Sequence, residues 1–274
     1  MAEGRIARRF ARLGELGRAG LVTFVTAGDP DLETSDRILQ GLPGAGADFI
    51  EIGMPFSDPT ADGPVIQAAS ERALTGGQNM ARTLDQVRSF RERNDETPLI
   101  LMGYFNPIYV YGNERFMEDA GRDGVDGLII VDLPPEEDEL REPAARAGLD
   151  LIYLTAPTTP EARMRLIAEK AGGFIYYVSI TGITGTRSAQ VTDVGKALEN
   201  LRRHIALPIA IGFGIRTPDQ ARAMGGVGDA VVVGSALIEQ LVAGLDEAGK
   251  PLADCADGVL NLVRDLAQGL TVDG

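Results

Sequence analysis

The chain has 274 residues, which fits either two small domains or one α/β barrel, and its 44% hydrophobic and 24% charged residues are ordinary globular proportions. A formal net charge of -14 gives long-range attraction the wrong sign for a nucleic-acid backbone or an anionic membrane, but leaves open a small anionic ligand held by backbone N–H groups. Cys255 is the only cysteine and His204 the only histidine, which argues against an intrachain disulfide, a Cys/His zinc site or a histidine-based triad, and favours the cytoplasm.

The first predicted element is a helix over about 3–18, because Ile6, Phe10, Leu13 and Leu16 recur at helical spacing; it is expected to cover the bottom of a barrel, with its arginines on the solvated face. Glu3, Glu15 and the scarcity of serine set this segment apart from a transit peptide. Eight apolar, β-rich runs follow, at 21–27, 48–54, 99–105, 127–133, 151–156, 174–180, 209–213 and 230–233. Each closes in glycine, proline or a carboxylate and leads into helical periodicity. Such alternation means parallel strands with crossover helices, and eight units without a break in composition predict a (β/α)8 barrel (TIM barrel) with an additional N-terminal helix, as one domain over 1–274. A last helix around 254–266 packs Val259, Leu260 and Val263 on one side, before a tail that frays after about 269. No apolar run approaches the ~20 residues of a bilayer span.

Side chains alternate along a strand, so in FIEIGM the residues Ile50, Ile52 and Met54 share one face and Phe49, Glu51 and Gly53 the other. The aliphatic set suits the layer under the helices, which turns Glu51 into the barrel near the end where barrel enzymes place catalytic groups. Loss of solvation there raises a carboxyl's pKa, and no Lys or Arg lies nearby in sequence to oppose it. Two readings stand: a poised proton donor and acceptor, or a buried glutamate satisfied by backbone donors or waters. Asp62 lies in the turn-rich loop PFSDPTADGP, where it and Asp58 fit either a catalytic role or turn and N-cap bonding. Asp29 in TAGDP has the stronger capping case, and Asp132, on the same face as Ile130 and Leu128, is ambiguous in orientation.

Three glycine-bearing turns follow the last three strands: TGITGT at 181–186, GFG at 212–214 and GS at 234–235. On one rim, their backbone N–H groups and a helix N-terminus can enclose a phosphate without a lysine, although each turn alone is generic. Arg187 and Arg216 are candidate helpers, or simply exposed arginines. Phe24, Met102, Tyr104 and Tyr176 have a parity that offers a flat apolar pocket, with core packing as the alternative for each.

The strings VTFVTAGDP, FIEIGMPFSDPTADGPVIQ, LMGYFNPI, SITGITGTRS, IGFGI and VVVGSALI, in this order over nearly the whole chain, resemble the tryptophan synthase alpha chain family. The resemblance implies a barrel that cleaves indole-3-glycerol phosphate to indole and glyceraldehyde 3-phosphate, with Glu51 and Asp62 as the catalytic pair. It further implies indole contacts from Phe24, Met102, Tyr104, Ile129, Tyr176 and Val232, and phosphate contacts from Gly185, Gly214, Gly234 and Ser235. Thr184 matches the residue that orients the aspartate when its loop closes, and Pro55, Phe56, Asp58, Asn106 and Pro107 match segments facing a partner. That partner is a beta chain carrying pyridoxal phosphate in an alpha-beta-beta-alpha complex; no cofactor and no metal is expected in this chain. Ile180 departs from the family where some relatives carry a basic residue. A phosphoribosyl-compound isomerase and a catalytically silent, partner-binding barrel are the rival readings; the EIGMPFSDPTADGP string opposes the first and retention of both carboxylates the second.

Overall fold

The computed structural model describes residues 4–178, 187–212 and 214–271. Its strands are β1 (Gly20–Thr26), β2 (Phe49–Gly53), β3 (Leu99–Gly103), β4 (Gly127–Ile130), β5 (Asp150–Leu151), β6 (Leu154–Thr155), β7 (Ile175–Val178), β8 (Ile209–Gly212) and β9 (Ala230–Val233). They form one parallel sheet in the order β5-β4-β3-β2-β1-β9-β8-β7-β6. Its two ends, β5 and β6, are halves of one stave: the Ile152 N–H donates to Leu128 O at 2.9 Å, and the Tyr176 N–H donates to Tyr153 O at 3.0 Å. The sheet therefore closes with the eight staves expected, and the fold is a (β/α)8 barrel. The fifth run reads as continuous in sequence but divides because its first half pairs with β4 and its second with β7.

Strand parity separates two cores. Inside the barrel, Val22, Phe49, Ile100, Ile129, Ile152, Phe174, Ala210, Ala230 and Val232 form one apolar cluster with Ile6 and Leu13 of the N-terminal helix Arg5–Leu16. Phe10 of that helix plugs the barrel, its ring centroid 4.5 Å from Phe49 and 5.8 Å from Phe174. Ile50, Ile52 and Met54 face outward into the larger cluster under the helices. Full burial of each such aliphatic contributes about 1.5–3 kcal/mol.

Four expectations need correcting. The N-terminal arginines do not simply face solvent: Arg5 pairs with Asp95 and, at 3.0 Å, Asp126, while Arg9 and Arg18 lie 3.5 and 2.7 Å from Asp48. Asp48, Asp126 and Asp229 stand at strand starts and accept the N–H groups of Leu21, Leu99 and Ile209 at 2.8–2.9 Å, so the barrel bottom is ion-paired and hydrogen-bonded at once. Asp29 is not a cap; Asp31 accepts the Thr34 N–H at 2.8 Å, because helix Leu32–Ala45 begins later, and Asp29 is buried in a two-pronged pair with Arg72 at 2.8 Å. The third strand stops at Gly103 rather than 105, since the Asp132 carboxylate accepts the Phe105 N–H at 2.7 Å and starts helix Phe105–Tyr111 there. That bond ties the Asp132 carboxylate to the start of this helix. The last helix is Cys255–Leu270, longer than expected, because Leu266 and Leu270 continue its buried stripe. Among the described residues no helix is long and apolar enough to cross a membrane.

Candidate active site

Glu51 sits on the inner face of β2, register-paired with Phe24 of β1, and is fully buried. Neither carboxylate oxygen has a hydrogen-bond partner among the described residues. Desolvation alone pushes its pKa up to about 8, which keeps the carboxyl protonated at neutral pH.

Two glycines shape the space beside it. The Phe24 ring lies across Gly53, where a Cβ would approach the ring's Cζ to 2.6 Å, and the Tyr176 ring lies across Gly212, where a Cβ would come within 2.7 Å of Cε1. Side chains at these positions would displace the rings. Burial first, and then the nearby charges of Glu51 and Asp62, raise the Tyr176 phenol well above its ordinary value, so this ring lies in the field of both carboxyls.

Asp62 is half-buried at the end of the loop after β2. Helix Pro64–Thr75 takes Gly63 as its N-cap with no side-chain bond, which leaves the Asp62 carboxylate free of capping. The backbone holds the turn instead: the Asp62 N–H donates to Pro59 O at 3.0 Å, and Gln67 Nε2 donates to Asp62 O at 2.8 Å. Tyr104 Oη accepts the Ala61 N–H at 3.0 Å and lies near enough to the Asp62 carboxylate to favour its charged form. Burial raises the Asp62 pKa, opposed by the nearby Tyr104 hydroxyl; burial and the Asp62 charge push Tyr104 up to about 12. Tyr104 is the N-cap residue of the next helix rather than a strand residue, and its ring stands 5.4 Å from Phe56.

A cavity of about 290 Å³ opens at the C-terminal rim, lined by Phe24, Asp62, Met102, Tyr176, Val232, Gly214, Gly234 and Ser235. Glu51 is closed off from it, Tyr104 backs the loop instead of lining it, and Ile129 lies deeper in the inner cluster. Val131 and Leu154 line the cavity although sequence reasoning missed them. They share the inward parity of Ile129 and Ile152 one step nearer the rim, a signal that could have found them. Ile66 and Ile215 also line it, from a helix and a turn, where no strand alternation marks them.

At the other end of the cavity Gly214 turns with φ +63°, and Gly234 begins helix Ser235–Ala243 without a side-chain cap, leaving first-turn N–H groups unpartnered within the helix. Arg216 lines the same wall and is paired with Glu239. Thr184, Gly185, Ile180, Phe213 and the Arg187 side chain lie outside the described residues. On the adjoining loops Pro55 and Phe56 are half-buried and Asp58 is exposed, accepting the Ser57 hydroxyl at 2.5 Å; Asn106 is exposed and Pro107 half-buried.

A barrel that sets a buried carboxyl, its pKa raised to about 8, beside an apolar, glycine-edged cavity at its C-terminal rim has the makings of an enzyme that acts on a flat, apolar substrate. The sequence profile of the tryptophan synthase alpha chain matches residues 10–266. The fold superposes on tryptophan synthase subunit alpha from Legionella pneumophila with a TM-score of 0.90 and 38% identity, covering 98% of each chain. A protein from Aquifex aeolicus VF5 matches at 37% identity and TM-score 0.87 over 98% of this chain and 100% of that one, and tryptophan synthase from M. tuberculosis, bound to aminoacrylate and BRD0059, at 30% and 0.85 over 98% and 99%. The chain belongs to the tryptophan synthase alpha chain family: it is a carbon–carbon lyase of tryptophan biosynthesis that cleaves indole-3-glycerol phosphate to indole and glyceraldehyde 3-phosphate.

Proposed function

We propose that Glu51 is the proton donor of this cleavage and Asp62 its electrostatic partner. The observation that carries this is a fully buried carboxyl without a hydrogen-bond partner among the described residues, held protonated to about pH 8, beside the cavity that Asp62 lines. Breaking the bond at indole C3 requires a proton there first. Glu51 gives it, forming the C3–H bond and leaving the positive charge on the ring nitrogen. Asp62 accepts a hydrogen bond from the indole N–H and stabilises that charge. The Glu51 carboxylate then helps to take the proton of the C3′ hydroxyl; a carbonyl forms at that carbon, and the electrons of the breaking bond return to C3 and restore indole.

Phe24, Met102, Tyr176 and Val232 hold the indole ring, with Ile129 beneath them. Gly214, Gly234 and Ser235, joined by Gly185, hold the phosphate through backbone N–H groups. Closure of the loop with Thr184 orients Asp62 and excludes water. Tyr104 fixes the position of Asp62, so Tyr104→Phe should lower kcat/KM about tenfold with little change in unfolding midpoint, as measured by indole release and urea titration.

The chain works as one domain in the cytoplasm, in an alpha-beta-beta-alpha complex with a beta chain that carries the pyridoxal phosphate and condenses indole with serine. Pro55, Phe56, Asp58, Asn106 and Pro107 face that partner. Purified chain incubated with indole-3-glycerol phosphate should release indole slowly alone and faster with the beta chain. No turnover in either case would sink the proposal.

A further inference from the structure

Arg216 is the only cationic side chain among the described residues that line the cavity. It stands two residues beyond Gly214, and its guanidinium is held end-on, Nη1 and Nη2 donating to the two oxygens of Glu239, with the Nη2 to Oε1 distance 2.8 Å. Glu239 lies four residues into helix Ser235–Ala243, whose N-terminus edges the same cavity. The Arg216 main chain is fixed separately, its N–H donating to Gln220 Oε1 at 2.8 Å, so the side chain can change partner without moving its turn.

We propose that Arg216 is a further phosphate-binding residue, stored on Glu239 and transferred to the substrate's phosphate when the cavity fills. The inference rests on the phosphate end proposed above. A guanidinium fork matches two phosphate oxygens as it matches two carboxylate oxygens, so Glu239 occupies the geometry that the anion would take. Both side chains are half-exposed, where an ion pair is worth little, which makes the exchange inexpensive. Glu239 also tunes the site: unpaired, its charge would oppose an anion at the helix N-terminus, and paired it delays the arginine.

Binding of glycerol 3-phosphate and of a neutral indolyl alcohol to the full chain, followed by calorimetry, tests this without catalysis. Arg216→Gln should weaken glycerol 3-phosphate about tenfold and leave the neutral alcohol unchanged. Glu239→Gln should tighten glycerol 3-phosphate several-fold, because the arginine is released. Unchanged phosphate binding in Arg216→Gln overturns the inference, as does equal weakening in both variants, the pattern of an ion pair that only supports the fold. If the chain releases no indole but these shifts appear, the lyase mechanism fails and the phosphate assignment stands.

Discussion

Glu51→Gln should lower kcat/KM for indole release by about 10³-fold, within the ~10² to 10⁴ that a positioned acid contributes, while the barrel stays folded. Glutamine keeps the shape and the neutral state that the buried carboxyl has at pH 7, so its packing is preserved and only the transferable proton is lost. The pH dependence follows from the same burial. Glu51 is protonated below about 8 in the folded chain, so the wild-type rate should fall as pH rises through that value, and the residual rate of the variant should lack this limb. Stability carries a matching signature. Between the unfolded value of 4.5 and the folded value of about 8 the native state binds the proton and the unfolded state does not. Wild-type stability relative to Glu51→Gln should therefore decline across this window, by an amount on the order of a few kcal/mol, measurable as urea midpoints at pH 5 and pH 8.5. Near-normal cleavage by the variant would remove Glu51 from the mechanism.

Strand parity makes Glu51 legible in the sequence, because one alternation in FIEIGM places the aliphatic residues under the helices and the carboxyl inside. The same alternation found Phe24, Met102 and Tyr176, yet stopped short at Val131 and Leu154, which need the height of each residue in the barrel as well as its parity. Height depends on the register between neighbouring strands, and a single strand's pattern does not contain it. The loop residues were less legible for a related reason. Asp29, Asp31, Asp58 and Asp62 all sit in turn-forming strings, and only the observed helix starts show that Asp31 caps, Asp29 pairs with Arg72 and Asp62 does neither. Tyr104 has strand parity in sequence but begins a helix, because Asp132, from the end of the neighbouring stave, supplies the bond that starts it. Long-range partners of this kind leave no local trace.

Asp62→Asn tests the other half of the mechanism, and the expected loss is about 10²-fold in kcat with KM nearly constant. Asparagine keeps an oxygen that can accept from Tyr104 and from the indole N–H, so the loop and the ground-state contact survive; the full negative charge that opposes the developing ring cation does not. The two variants separate by pH. Burial raises the Asp62 pKa above 3.8, so in the wild type the rate should fall as pH drops through this raised value, when the carboxylate takes a proton and loses its charge. Asp62→Asn should lose this acid limb and keep the alkaline one, whereas Glu51→Gln should lose the alkaline limb and keep the acid one. A wild-type profile whose two limbs both survive in Asp62→Asn would assign the acid limb to another group and reduce Asp62 to a loop residue. The paired loss is the stronger result because it separates the roles: one carboxyl works by being protonated and the other by being charged, in the same site, since only Glu51 is wholly cut off from solvent.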